Sequence, residues 1–252
     1  EEDSFAGAAA TLGISTSDIE QTLTRSLFGE RFEHFSKLTR VDANELGGAG
    51  RALMLTRQYR MHSHIMQGIN QFYGGRLEVG RTDLDADRTH GLEGVSWLDG
   101  NAHVVWIDIP SGGEWRSEQA GNSRHNPREA ELVARVVADL LPECRRVDRE
   151  IGVISLYGAQ VRTIARVIDG VVRRGAGQAA VRVRTVDKFQ GMERDVIVLS
   201  LCVNGQGVSE FLRKHERVNV AMSRARRLLV IVGSADTYRR AFDGVGSPYS
   251  VF

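Results

Sequence analysis

Two stretches of this sequence concentrate groups that grip phosphate. From Phe211 to Arg227 six basic residues stand against one acid, in a chain whose formal net charge is +1. This is its strongest electrostatic asymmetry. Val218, Ala221 and Met222 fall on one helical face and leave Arg217 and Arg224 on another, where a guanidinium fork can pair with phosphate oxygens. A solvated face is equally compatible, with Arg226 and Arg227 as cations at a helix C-terminus. The second stretch, Asp187 to Asp195, is a polar loop between two apolar runs. Gly191 lets backbone amides approach a phosphate or sugar, and Glu193 can accept from a ribose hydroxyl. A plain polar turn over a buried Phe189 has the same pattern.

Two shorter segments add to these. In Gln58-Tyr59-Arg60-Met61-His62 an aromatic ring next to a guanidinium can stack a base and hold a phosphate together. At Tyr157-Gly158-Ala159-Gln160 a strand end meets a helix start, which offers hydroxyl and amide contacts to a sugar-phosphate backbone, unless Tyr157 simply covers the sheet edge. His62 and His64, two apart, point to different sides of a helix and make poor co-ligands, so no metal site is expected. Cys144 and Cys202 lie far apart in apolar stretches, which is neither a disulfide framework nor metal-ligand spacing, and points to a reducing, cytoplasmic setting.

The elements that must position these groups read as follows. Ser15 or Ser17 caps a helix carrying Ile19, Leu23 and Leu27, and residues 42–50 form a loop. Met61 to Phe72 is a helix with Ile65, Ile69 and Phe72 on one face, stopped by Gly74-Gly75, so Gln58 to His62 lies at a helix entrance. Residues 80–125 are a glycine-rich irregular insertion, two surface excursions around one strand at His103 to Ile109. Asn126-Pro127-Arg128-Glu129 combines a cap, a first-turn proline and a glutamate three on from the cap, and heads a helix to about Leu141. Four runs, Ile151 to Leu156, Val181 to Val186, Val196 to Cys202 and Leu228 to Gly233, read as strands buried on both faces. Helices at Val161 to Val171 and Phe211 to Ala225 stand between them, which gives a parallel α/β sheet with right-handed crossovers. In such sheets ligands meet the carboxyl ends of the strands.

The chain has 252 residues, 42% hydrophobic and 26% charged, with four prolines and no apolar run long enough to span a bilayer. Membrane-spanning, collagen-like and wholly disordered classes are excluded. The start Glu1-Glu2-Asp3 has neither a basic nor an apolar leader region and reads as a fragment cut from a longer protein.

Taken in order, these segments resemble the second RecA-like domain of superfamily 1B helicases, the group that contains the nonsense-mediated-decay helicase. Gln58 to His62 resembles motif IV, and Ile154 to Gln160 resembles the family's I-x-P-Y-x-x-Q segment, with Leu156 in place of the proline. Val186 to Asp195 resembles motif V, and Arg217 to Arg226 resembles motif VI. The resemblance runs from about Ser26 to Tyr238 and makes residues 1–25 a peripheral segment and 26–252 a RecA-like domain.

The resemblance implies a fold of the P-loop NTPase superfamily and a motor that uses ATP and Mg2+ on single-stranded DNA or RNA. It places Tyr59 near the adenine, Arg60 and Arg224 at the γ-phosphate, with Arg224 as an arginine finger, and Glu193 with Gly191 beside the ribose or phosphates. Tyr157, Gln160, Thr185, Lys188 and Asn219 follow as candidates for nucleic-acid contact or for coupling the two sites. The sequence contains no G-x-x-x-x-G-K-[ST] loop to cradle the β- and γ-phosphates, and no strand ending in paired acids for magnesium. The reading is therefore half an ATPase, completed by a first RecA-like domain that also holds most of the Mg2+ shell and without which the chain is inactive. Its alternative is a helicase-derived scaffold that binds strand or partner without hydrolysis.

Overall fold

The computed structural model describes residues 54–172, 181–205 and 215–241. The chain divides into two compact units, Glu1–Leu55 and Thr56–Phe252, and the second holds nearly all the described residues. The helix expected around Leu23, the loop at 42–50 and the boundary at residue 26 lie outside them.

Short strands β1 (Arg57–Gln58) and β2 (Glu78–Val79) pair in parallel and bracket helix α1 (Ser63–Asn70). After α2 (Leu84–Asp87) and β3 (Val104–Asp108) comes a hairpin of β4 (Glu118–Ala120) and β5 (Ser123–His125). Then follow α3 (Pro127–Arg146), β6 (Ile151–Ser155), α4 (Gly158–Val172), β7 (Arg182–Thr185) and β8 (Arg194–Ser200). Helix α5 (His215–Met222), β9 (Ala225–Gly233) and α6 (Ala235–Ala241) complete the order.

Five of these strands form one parallel sheet in the order β3-β9-β8-β6-β7. Side-chain alternation sorts its two cores. Ile197 and Leu199 of β8, with Leu229 and Ile231 of β9, face α1 and α5, whereas Val196 and Val198, with Leu228 and Val230, face α3 and α4. Each fully buried aliphatic side chain here contributes roughly 1.5–3 kcal/mol. On α4, Ile164 and Ile168 are buried, while the Val171 side chain lies outside the described residues. No described helix is long and apolar enough to cross a membrane.

The central strands follow the sequence reading, and four elements depart from it. β7 is an edge strand, not buried on both faces: Arg182 and Arg184 point out while Val183 packs inward. Helix α3 runs through Pro142 to Arg146 instead of stopping at Leu141. The last crossover helix ends at Met222, so Arg224 sits in a turn and Arg226 and Arg227 lie in β9, where they are not helix-terminal cations. Residues Phe211 to Lys214 lie outside the described set. Finally, residues 80–125 are not merely superficial: Leu84, Leu92, Val95 and Leu98 are buried, and the segment carries α2 and the β4–β5 hairpin.

The connection from β7 to β8 contains no α-helix. Val186 to Glu193 runs back across β6, and Phe189, fully buried, lies over Gly152. A Cβ on Gly152 would come within 2.6 Å of the Phe189 ring, so only glycine leaves room for this path. The loop is thereby delivered to the amino end of β8.

Candidate functional site

That path explains where the basic groups meet. Gly191, at φ +81°, makes the exposed left-handed turn that releases the chain from β6, and Glu193 directly precedes β8. Arg194 is in register with Ala225, so the start of β8 stands beside the start of β9 and beside the turn holding Ser223 and Arg224. Motif IV comes to the same place because the His62 amide donates to the Arg226 carbonyl at 2.9 Å. Sequences more than a hundred residues apart thus converge at the amino ends of β8 and β9, not at the carboxyl ends where the general rule for α/β sheets put them.

Three arginines and two carboxylates are interlocked there. Arg60 Nε donates to Glu193 Oε2 at 2.8 Å, and its Nη1 donates to the Ser223 carbonyl at 3.1 Å. Arg226 spans Glu193 Oε1 at 3.4 Å and Asp195 Oδ1 at 2.9 Å, and Arg227 Nε reaches the same Asp195 oxygen at 2.8 Å. Burial opposes ionisation of Asp195, but hydrogen bonds from Arg226, the Glu150 amide and Arg227 outweigh it and hold the carboxyl below its ordinary range.

Arg224 differs from these neighbours. Its Nε donates to the Val220 carbonyl at 2.9 Å, Nη1 to the Met192 carbonyl at 3.3 Å and Nη2 to the Ser223 hydroxyl at 3.2 Å. Among the described residues no carboxylate pairs with it. Burial first, and then the nearby Arg60 charge, pull its pKa below the usual guanidinium range, against the opposing charge of Glu193. The fold therefore holds a half-buried cation by neutral oxygens beside a second cation, an arrangement that an incoming anion relieves. Tyr59, one residue before Arg60, keeps 57% of its surface exposed, with its ring against Gly80 and another face open for stacking. An exposed aromatic ring and a guanidinium hydrogen-bonded only to neutral oxygens are groups that can meet a base and an anion.

The remaining candidates do not gather at this place. Tyr157, Thr185 and Lys188 lie at the carboxyl ends of β6 and β7, Tyr157 packed against the core and Lys188 exposed. Gln160 is fully buried: Oε1 accepts from the Asn126 amide at 2.7 Å, and Nε2 donates to Ser200 Oγ at 3.0 Å. Its amide is used internally and is not displayed to a strand in this conformation. Asn219 is on α5, where Nδ2 donates to the Tyr73 hydroxyl at 3.0 Å. Leu156, in the family's proline position, is buried in the core.

The crevice that the α/β rule anticipates lies between β6 and β8, whose outgoing helices α4 and α5 take opposite faces of the sheet. Here it is plugged by side chains. Asn126 caps α3 by accepting from the Glu129 amide at 3.0 Å, but the Glu129 carboxylate does not reach back to the cap. It turns inward to accept from Ser200 Oγ at 2.6 Å and the Cys202 amide at 2.8 Å. The polar groups in the crevice bond one another, whereas Arg60 and Glu193 in the amino-end cluster each keep more than a third of their side chains exposed.

Sequence reasoning missed Asp195 as an arginine partner, Arg88, Gly80 and a histidine group. His62 stacks on His103 with ring centroids 3.4 Å apart, and His64 and His90 complete the group. The described residues contain no cluster placed to hold a metal ion.

Comparison with known proteins gives the family of the chain. The family model described as an AAA domain matches residues 29–236. The probable helicase MAGATAMA 3 of Arabidopsis thaliana is 34% identical over 192 residues, 74% of this chain and 23% of that protein. The DNA polymerase alpha-associated DNA helicase A of Saccharomyces cerevisiae is 31% identical over 201 residues, 74% of this chain and 28% of its own length. The regulator of nonsense transcripts 1 homologue of Arabidopsis thaliana is 32% identical over 190 residues, 72% of this chain and 14% of that protein. The chain spans less than a third of each of these relatives. With a family match over most of its length, motifs in the family's order and a parallel sheet carrying them, this chain belongs to the AAA domain family of superfamily 1 helicases.

Proposed function

We propose that the chain is the second motor domain of an ATP-dependent helicase or translocase acting on single-stranded DNA or RNA. Arg224 and Arg60 are its contribution to an ATP site shared with a first RecA-like domain, which supplies the phosphate loop and most of the Mg2+ shell. The observation that carries this reading is the Arg224 guanidinium, hydrogen-bonded only to neutral oxygens beside Arg60. Facing a γ-phosphate, it stabilises the charge that develops as the phosphoryl group leaves, an effect on the order of 10³ or more in rate in phosphoryl-transfer enzymes. Tyr59 stacks the base, and Glu193 holds Arg60 in place.

Half a site on each of two domains couples chemistry to movement. Nucleotide draws the domains together, hydrolysis releases them, and strand contacts on each alternate. Tyr157, Thr185 and Lys188, at the carboxyl ends of β6 and β7, are the strand-facing candidates, and Gln160 positions the start of α4 from within.

The test is strand-stimulated ATP hydrolysis by the complete parent protein, wild type against Arg224→Ala, with DNA and RNA offered separately. Loss of stimulated turnover in a folded variant is the expected result, and the preferred strand identifies the substrate. Absence of turnover with either strand in the folded wild type overturns the reading in favour of a non-hydrolysing scaffold, and turnover that the substitution does not change overturns the role of Arg224.

A further inference from the structure

Motif IV is held in place by residues that belong to none of the recognised motifs. Gly80 donates its amide to the Gln58 carbonyl at 2.8 Å, extending the β1–β2 pairing. The Tyr59 ring lies so close over Gly80 that a Cβ there would come within 2.4 Å of it. Eight residues on, Arg88 turns back. Its Nε donates to the Arg60 carbonyl at 2.7 Å and its Nη2 to the Tyr59 carbonyl at 3.3 Å, while Nη1 is fixed by Asp87 at 3.1 Å. One planar fork thus reads both carbonyls of the dipeptide whose side chains face the nucleotide.

The segment that carries Arg88 is itself tied to the arginine cluster. Arg227 Nη1 donates to the carbonyls of Asp87 at 2.5 Å and Thr89 at 2.8 Å, and its Nε reaches Asp195. From Asp195 the chain of bonds continues through Arg226 and Glu193 to the Arg60 side chain. Arg88 closes this circuit by returning to the Arg60 backbone. Arg60 is therefore fixed from both ends, its guanidinium by Glu193 and its peptide by Arg88. Such double support sets the direction of a long side chain that has to meet an anion at a defined point.

We infer that Arg88 is a positioning residue for ATP, holding the Tyr59-Arg60 backbone so that ring and guanidinium are presented together, with Gly80 setting the plane of the ring. The inference rests on the proposed nucleotide role of Tyr59 and Arg60. Arg88 itself touches neither nucleotide nor strand, so its loss is read in nucleotide kinetics and not in strand grip.

The experiment compares Arg88→Gln, Arg88→Lys, Gly80→Ala and Arg224→Ala in the complete parent protein. It measures kcat and KM for ATP with saturating single strand, strand affinity without nucleotide, and the melting temperature. Arg88→Gln is expected to raise KM for ATP and lower kcat, kcat/KM falling roughly ten- to a hundredfold, with strand affinity within about twofold of wild type. Arg88→Lys, a charge without the fork, falls between. Gly80→Ala, which displaces only the ring, raises KM by about tenfold with kcat unchanged.

Kinetics of Arg88→Gln equal to wild type, with Arg224→Ala inactive, overturn this inference and leave the arginine-finger reading standing. If Arg224→Ala is silent too, that reading falls and takes the inference with it. If Arg88→Gln loses melting temperature and strand affinity together, Gly80→Ala decides: an unchanged KM for ATP overturns the inference.

Discussion

Glu193 accepts from Arg60 at 2.8 Å across 133 residues of sequence, and its other oxygen takes Arg226 at 3.4 Å. One carboxylate therefore aligns a motif IV cation with a motif VI cation. Both members of the closer pair are more than a third exposed, at 37% and 40%, so the pair itself adds under about 1 kcal/mol to stability. Its importance is directional. Glu193→Gln in the parent protein is expected to leave the melting temperature within about 3 °C of wild type, while strand-stimulated turnover falls by about tenfold or more as Arg60 loses its aim. A parallel loss of melting temperature and turnover would show that the carboxylate serves the fold and not the site.

Glu129 provides a pH test of the plugged crevice. It is fully buried, Oε1 takes two donors, and Oε2 has no partner among the described residues. Burial pushes its pKa from 4.5 up to about 7 despite the hydrogen bonds from Ser200 and Cys202. The folded state thus binds this proton more tightly than the unfolded chain. The stability the proton confers is complete below about pH 4.5 and is lost as pH rises through 7, a change of about 3 kcal/mol. Glu129→Gln removes the titration. Urea unfolding at pH 5 and pH 8 should show the variant gaining on wild type at the higher pH, and a pH-independent difference would refute the assignment.

The histidine group has the opposite sign. Burial first, and then the stacked His103, bring the pKa of His62 from 6.5 to about 4, with His64 and His90 adding to the fall and Asp85 opposing it. Neutral His62 caps α1 by accepting from the His64 amide through Nδ1 at 3.2 Å, and a proton on Nδ1 abolishes that bond. Stability from this group is therefore present above pH 6.5 and lost as pH falls through 4. Asparagine keeps a capping acceptor without titrating, so His62→Asn should flatten the acid limb of the stability profile. Between pH 4.5 and 6.5 the slopes from His62 and Glu129 oppose each other. Melting curves of both single variants and the double variant separate them, and an unaltered acid limb in His62→Asn would rule the histidine out.

The parts of the fold that were legible in sequence are those governed by short-range pattern. β8 and β9 are continuous apolar runs because helices cover both faces of the sheet, and such runs announce themselves. β7 was misread because Val181, Val183 and Val186 outweigh Arg182 and Arg184 in a hydrophobicity count, although the alternation already marks an edge. Only candidates inside motifs were picked out, by type, spacing and resemblance. Arg88, Gly80 and Asp195 were not, because each acts on a partner 21 to 32 residues away through a carbonyl, a ring face or a shared carboxylate. The arginine cluster stands at the amino ends of β8 and β9 for a physical reason. Phe189 leads the β7–β8 loop back over β6, and Glu129, Gln160 and Ser200 occupy the crevice the loop would otherwise border.

The return path over β6 can itself be tested. A Cβ at Gly152 would stand 2.6 Å from Phe189 Cζ and 2.8 Å from Ile197 Cδ1, both in fully buried side chains. Gly152→Ala is therefore an overpacking change expected to cost about 1–3 kcal/mol. Phe189→Leu opens space at the same point and costs about 1–3 kcal/mol through lost packing. If the two positions share one volume, the double variant is less destabilised than the sum of the singles by about 1 kcal/mol or more. Because the loop carries Gly191 and Glu193 to the amino end of β8, strand-stimulated turnover should also recover in part in the double variant. Strict additivity in urea unfolding, with no recovery of turnover, would mean that Phe189 does not lie across β6 and that Glu193 reaches Arg60 by another path.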